Sequence, residues 1–199
     1  ELSMFLSLPA SIALIIASEE IISALFGYGS FNEKAVLNSA KALYFFGLGL
    51  PAFALIKVFS TFFFANHDTK TPFYISFISV ILNISISIYY FESIGFIIIP
   101  ISTTISSWLN VLILFVFLRK RNLFEFNNIF FINFFKIIFI SIVMGIFFKY
   151  LIVIFEDSLV YDYDFKSFYL ILSVLLALTF YILVSFFIKA FNYKDLQLK

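Results

Sequence analysis

Residues Gly47–Phe73 read GLGLPAFALIKVFSTFFFANHDTKTPF. An apolar helix carries a single lysine, Lys57, and then stops. A short polar loop follows, Asn66-His67-Asp68-Thr69-Lys70, and Thr71-Pro72 opens the next apolar helix. Thr71 reads as the N-cap and Pro72 as the first helical residue, where its missing N–H costs nothing. Lys57 lies more than two helical turns before the loop, so roughly 10 Å or more inside the helix end. A cation at that depth is costly in lipid and usually faces protein or water. The loop also holds the sole histidine of the chain. Everything else can be placed around this hairpin.

The solvent for such helices is lipid. Of the 199 residues, 63% are hydrophobic and 13% charged, whereas a soluble domain is about half apolar and a quarter charged. With a mean hydropathy of +1.08, a single core cannot hide the excess. The fold class is therefore all-α, a polytopic transmembrane helix bundle. A formal net charge of +1 argues against a nucleic-acid partner. The lack of cysteine excludes disulfides, thiolate metal sites and cysteine nucleophiles. The 32 phenylalanines, with abundant Ile, Lys and Asn, read as the mark of a genome rich in A and T, not as an aromatic site. The chain begins at Glu1 with no charged n-region and cleavage site before it. The expectation is that N-terminal membrane helices of the same protein are missing.

Apolar runs of about twenty residues mark membrane helices, and six are expected. The first covers about residues 3–26, with Pro9 able to kink it and Glu19 and Glu20 near its far end. That pair reads either as an interfacial pair at the membrane surface or as a charged cavity rim. Gly27-Tyr28-Gly29 ends the helix, and Ser30 to Glu33 has the form of a capping box. The second covers about 31–64, longer than a bilayer needs, with Pro51 after Gly47 and Gly49 as the bend. Lys34, Asn38 and Lys41 share one face of its outer part. The third covers about 72–91, with Ser76, Ser79, Asn83 and Ser87 on one narrow face. The fourth covers about 96–118, with Thr103, Ser106, Ser107 and Asn110 on one face. Residues 1–121 thus form a four-helix unit and 122–132 a linker. Residues 133–199 form a final two-helix hairpin, helices at about 133–155 and 168–191. Ser141/Gly145 and Ser173/Ala177 are small pairs suited to packing these two helices together.

Lys and Arg set the orientation. One side holds Lys70, Arg119, Lys120, Arg121, Lys136, Lys189, Lys194 and Lys199; the other has mainly Lys34, Lys149, Lys166 and most of the acids. The loop around His67 is expected to be cytoplasmic, as are both ends of the chain.

Enzyme chemistry finds little support. His67 beside Asp68 is read as a turn residue, since nothing in the sequence indexes a serine to complete a triad. No phosphate-cradling glycine loop is present, the helix interiors lack paired carboxylates, and neither cofactor nor metal is expected. Lys57, with Ser60 and Thr61 on its face, reads either as a snorkelling lysine or as a cavity cation facing an anionic group. Lys41 and Asn38 are grouped with it as cavity candidates. Asn83, Ser87 and Thr103 read either as an interhelical packing cluster or as a weak small-cation site, for hard cations want several oxygens.

The segments LFGYGSF (Leu25–Phe31), LGLPAFALIKVFSTFFFANHDTKTP (Leu48–Pro72) and SSWLN (Ser106–Asn110), in this order and spacing, resemble the C-terminal part of the MurJ/MviN lipid II flippases. These belong to the multidrug/oligosaccharidyl-lipid/polysaccharide exporter superfamily. The resemblance covers nearly the whole chain, more weakly after Arg121. It implies the last six of fourteen helices in a bacterial inner-membrane transporter. Two six-helix lobes would enclose a cationic cavity, and the extra hairpin would attend the lipid tail. The implied substrate is a lipid-linked anionic precursor of undecaprenyl-pyrophosphate type, moved between leaflets by alternating access. The implied neighbours are membrane lipids and the missing N-terminal helices. His67, Asp68, Thr69, Lys70 and Pro72 would form a cytoplasmic hinge loop. The sequence departs from the family pattern at Tyr28, where arginine is common, and at Ser87, where a stronger ligand would favour a cation. The rival readings are another exporter of the superfamily, for O-antigen units or drugs, and a non-transporting membrane scaffold subunit.

Overall fold

The computed structural model describes residues 1–122 and 128–188. Its elements are α1 (Leu2–Ile16), α2 (Ser18–Phe26), α3 (Glu33–Ala65), α4 (Lys70–Ile94), a 3-10 turn at Gly95–Ile97, α5 (Ile98–Lys120), α6 (Asn128–Ile154), α7 (Glu156–Leu159) and α8 (Lys166–Ile188). Among the described residues all regular structure is helical. By length and composition Glu33–Ala65, Lys70–Lys120, Phe130–Ile154 and Lys166–Ile188 can cross a membrane, and α1 with α2 can do so as one bent pair. Lys70–Lys120 is not a single rod. Gly95 takes φ 75, and Asn83 of α4 bonds Thr103 of α5. The two helices are therefore antiparallel, and each is long enough to span.

In space the helices follow the order α4, α5, α3, α1, α6, α8. Phe63, Leu114 and Leu118 centre the core between α3 and α5. Ile140, Phe148, Ala177 and Tyr181 centre the core of the α6–α8 hairpin against α1. The outer surface is strongly apolar, with Ile88 73% and Phe187 80% exposed, as suits helices bathed in lipid.

Several boundaries differ from the sequence reading. The first helix does not yield at Pro9. It breaks at Ala17, and α2 leaves at 80° to α1. Glu19 and Glu20 then stand in the first turn of a new helix, where its positive end favours them. The expected Ser30 capping box is replaced by Asn32, whose Oδ1 accepts from the Ala35 amide at 2.9 Å. Ser30 comes too early because Gly29, at φ 61, still belongs to the turn. Thr71 is not the cap of α4; Asp68 Oδ1 accepts from the Thr71 amide. Helix α6 begins at Asn128, five residues before the expected start. The end of the sixth helix beyond Ile188, with Lys189, Lys194 and Lys199, lies outside the described residues, as do residues 123–127 of the expected linker, whose remainder from Asn128 is helical.

The prolines explain much of the packing. A proline inside a helix leaves the carbonyl four residues earlier without an amide. Pro9 so frees the Phe5 carbonyl, and Tyr181 Oη of α8 donates to it at 2.7 Å. Pro51 frees the Gly47 carbonyl, and Ser11 Oγ of α1 donates to it at 2.7 Å. Around Pro51 two more groups of α5 join in: Thr104 Oγ1 to Phe45 O at 2.7 Å and Trp108 Nε1 to Leu48 O at 3.1 Å. Glycine lets these helices come close, since a Cβ on Gly49 would stand 2.9 Å from Thr104 Oγ1. Gly145 was expected to serve the hairpin's internal packing. It faces α1 instead, where its Cβ would meet Ile12 at 2.5 Å.

Candidate functional site

The serine and threonine faces of α4 and α5 meet in a closed hydrogen-bond network. Asn83 Nδ2 donates to Thr103 Oγ1 at 3.0 Å. Ser87 Oγ donates to Asn83 Oδ1 at 3.3 Å and lies 2.6 Å from Ser102 Oγ. Ser102 Oγ also stands 3.2 Å from Asn83 Oδ1. Thr103 returns its own hydrogen to the Ile99 carbonyl at 2.7 Å. The structure thus brings together Asn83, Ser87 and Thr103 and adds Ser102, which is fully buried. Ser102 sits one residue off the face drawn by helical spacing, so the sequence pattern passed over it. No carboxylate belongs to this network.

Lys57 is exposed on α3, eight residues before Ala65, which is about 12 Å from the helix end. Among the described residues no ion pair includes it. Thr61 is exposed beside it, but its hydroxyl donates to the Lys57 carbonyl at 2.9 Å; Ser60 is half-buried. Lys41 is exposed and Asn38 half-buried, but they stand sixteen and nineteen residues earlier along the same helix, beyond Pro51. That separation is about 24 Å or more along the axis, so these five residues do not form one local site.

The loop after α3 is built from its own backbone. His67 takes φ 58. Its amide donates to Phe64 O at 3.0 Å, and the Asp68 amide donates to Phe63 O at 2.9 Å. This is the Schellman closure of a helix, with histidine where glycine is usual. Asp68 then caps α4, with Oδ2 also accepting from Thr71 Oγ1 at 2.6 Å. Arg121 at the end of α5 pairs with Asp68 Oδ2 and donates to Thr71 Oγ1 at 3.1 Å. The Thr71 hydroxyl and amide, then the guanidinium of Arg121, hold the Asp68 carboxyl down to about 2. Thr69 and Lys70 are exposed, and Pro72 is buried. From sequence Arg121 was only an orientation charge; here it ties the loop to α5.

At the opposite end a second knot was missed. Lys166, counted as a loop charge, is 1% exposed. Its Nζ donates to Gly27 O at 2.7 Å and Tyr161 O at 2.5 Å. It lies 4.3 Å from the Tyr28 ring centre and 4.5 Å from that of Tyr161, a pair of cation–π contacts. Ser167 Oγ donates to Ala24 O at 2.6 Å, and Tyr161 Oη to Phe31 O at 2.7 Å. The hairpin is thereby fastened to the connection between α2 and α3. The residue joins parts of the chain more than a hundred positions apart, and no local spacing announces that.

Two cavities accompany these knots. One of about 440 Å³ is almost wholly apolar and lies between α1, α6 and α8, walled by Phe5, Pro9, Phe148, Ala177 and Tyr181 among others. The other, about 240 Å³, is bordered by glutamates at the end of the bundle that holds Lys166.

A family model described as the lipid II flippase MurJ matches residues 1–170. A probable lipid II flippase MurJ of Rhizobium meliloti is 41% identical over 121 residues, covering 61% of this chain and 23% of the relative. One of Thermotoga maritima is 36% identical over 143 residues, covering 72% and 28%. A solved lipid II flippase MurJ in an inward closed conformation superposes with a TM-score of 0.74 at 26% identity, over 97% of this chain and 37% of that one. The chain thus spans about a quarter of the length of these curated relatives.

Proposed function

This chain belongs to the lipid II flippase MurJ family, a family of multi-pass membrane proteins, and on that premise we propose that it is the C-terminal part of a flippase for a lipid-linked peptidoglycan precursor. The substrate passes from the cytoplasmic to the periplasmic leaflet of a bacterial inner membrane by alternating access. Residues 1–121 form part of one lobe, the stretch between Lys120 and Asn128 the cytoplasmic linker, and α6 onward the appended hairpin. The observation that carries the reading is the likeness to a flippase in an inward closed conformation over 97% of the chain. The match extends over almost the whole chain and is not confined to one motif.

Lys57 is the cavity cation in this proposal. A charged amine about 12 Å inside a membrane helix is expensive against acyl chains. Its exposed side chain has no carboxylate partner among the described residues, so the face it occupies borders water or the rest of the transporter. An anionic headgroup is the natural counterion for such a face. Asn83, Ser87, Ser102 and Thr103 are a packing joint, because their hydrogen-bond capacity is largely spent on each other and on Ile99. The Asp68–Arg121 loop is the cytoplasmic hinge.

The test is complementation of flippase-depleted cells with the full-length protein, with accumulated lipid-linked precursor as the readout. Rescue supports the reading; a stably inserted protein that leaves the precursor accumulating overturns it. Lys57→Ala in the full-length protein is expected to slow flipping about tenfold or more, the loss of one charge-assisted contact of about 1.5–3 kcal/mol. Unchanged flipping would show that Lys57 only snorkels to the interface.

A further inference from the structure

Helices α1 and α8 both pack on α6 but hardly on each other. Between them lies the apolar cavity of about 440 Å³, with Met144 and Phe148 of α6 in its wall. Two polar joints bridge α8 across that gap. At one end Tyr181 Oη donates to the Phe5 carbonyl of α1. At the other, Lys166 and Ser167 in the first turn of α8 donate to the Gly27 and Ala24 carbonyls where α2 ends. Fifteen residues separate Lys166 from Tyr181, about 22 Å of helix. Helix α8 is thus held over the cavity at two points, not by continuous packing on α1.

The two joints differ in what could replace them. Tyr181 is 3% exposed, and Pro9 has removed the amide that the Phe5 carbonyl would otherwise accept from. Without the hydroxyl that carbonyl would face apolar side chains alone. The Lys166 joint lies at the chain reversal into α8, close after the exposed Asp162 and Asp164. Two carbonyls and two rings hold its charge, and no carboxylate pairs with it among the described residues. Tyr28, one of those rings, is itself 46% exposed. Once that ring moves aside, water can take the place of each contact.

We propose that α8 is a flap over the apolar cavity, with the Tyr181–Phe5 joint as its pivot and Lys166 in its tyrosine cage as the latch. Closed, the latch fixes the width of the cavity. Open, the ammonium turns to water and the first turns of α8 swing away from α2, which widens the cavity. The bond from Tyr161 Oη to the Phe31 carbonyl keeps the preceding loop in place, so residues 162–165 supply the slack for the swing. The device is independent of the flippase reading, because its test reads distances and not transport.

The experiment measures spin-label distances by electron paramagnetic resonance on the full-length protein in lipid nanodiscs, in a background without other cysteines. One label pair, Glu92→Cys with Phe168→Cys, spans the latch end of the bundle; the other, Lys70→Cys with Phe187→Cys, spans the pivot end. All four positions are exposed. Each pair is read with the wild-type latch and with Lys166→Met, Tyr28→Leu and Tyr28→Phe. In Lys166→Met and Tyr28→Leu the longer-distance population at the latch end is expected to rise about tenfold or more, the loss of a desolvated cation–π contact. The pivot end stays as in wild type. Tyr28→Phe keeps the ring, gives up only the hydroxyl bond to Ser167, and matches wild type at both ends. The proposal is overturned if either Lys166→Met or Tyr28→Leu leaves the latch end unchanged, or if Tyr28→Phe releases it as fully as Tyr28→Leu. It is equally overturned if the pivot end broadens as much as the latch end, since that is general loosening. Should Lys166→Met fail to insert, Tyr28→Leu, which retains the lysine, decides alone.

Discussion

Pro9 and Pro51 set the same problem in neighbouring helices, and the protein answers it at different strengths. Each leaves a main-chain carbonyl without its amide inside a membrane span, where water is not at hand to take its place. At Pro9 a single hydroxyl, that of Tyr181, supplies the donor. At Pro51 Ser11 does so, while Thr104 and Trp108 bind the carbonyls on either side, and Gly49 lets α5 approach closely enough to deliver them. The first joint is a contact between α1 and α8. The second is a three-helix seam of α1, α3 and α5. In lipid, where apolar burial does not separate helix from tail, such donors and small residues decide which helices stay together.

The comparison breaks most readily at Gly49. Gly49→Val places a branched side chain against Thr104 and Phe53, where a Cβ alone already meets both at 2.9 Å. The expected loss is about 3 kcal/mol of helix association, read by steric trapping or by detergent unfolding of the full-length protein. Ala10→Val, beside Pro9 but exposed, is expected to cost less than about 0.5 kcal/mol. Equal losses at the two positions would show that the Pro51 seam is no tighter than the Pro9 contact.

Removing the donors sharpens the same contrast. Ser11→Ala and Tyr181→Phe each orphan one carbonyl, and each is expected to cost about 1 kcal/mol. The decisive measurement is the pair of double-mutant cycles with Pro51→Ala and Pro9→Ala. Restoring the amide gives the carbonyl an intrahelical partner, so the cost of losing the hydroxyl should shrink in both backgrounds. If Ser11→Ala costs the same with alanine at 51, its hydroxyl is not replacing the missing amide.

These joints show what could be read from the residues alone. Both prolines were visible as breaks in helical hydrogen bonding, as was the glycine pair before Pro51. Their partners were not, since Ser11 and Tyr181 act over sequence separations of 36 and 176 residues. The same divide runs through the candidate site. Local spacing found Asn83, Ser87 and Thr103, because a shared helical face is a local property. It missed Ser102, Arg121 and Lys166, which take their meaning from the helix or loop they touch. Bilayer length and hydropathy sufficed for six crossings. They were blind to the turn at Ala17, a residue with no local helix-breaking signature that is wholly buried among its neighbours. Cap positions slipped because several polar residues in a row can all serve, and the backbone turn before them selects one.

The loop at the foot of α3 answers its own chain ends locally, and there the expected effects are smaller. His67→Gly relieves a left-handed backbone in a side chain that makes no hydrogen bond among the described residues, and a gain of about 1 kcal/mol or less is expected. A loss on this substitution would mean that the imidazole has a role beyond the turn.

The smallest expected effect is the titration of Asp68. Its carboxyl is held at about 2 by Thr71 and Arg121, below its ordinary value near 4, so the folded loop favours the charged form. Its contribution to stability is therefore complete above the ordinary value, declines as the pH falls below it, and is gone once the pH has fallen through about 2. The ion pair is partly exposed, with Arg121 at 44% and Asp68 at 20%, so screening keeps that contribution modest. Asp68→Asn should flatten the acid limb of the stability profile between pH 4 and 2 and leave both proline joints unchanged. Should the acid limb stay as steep with asparagine at 68, other carboxylates govern it. The glutamates around the cavity at the far end of the bundle would then be the groups to titrate next.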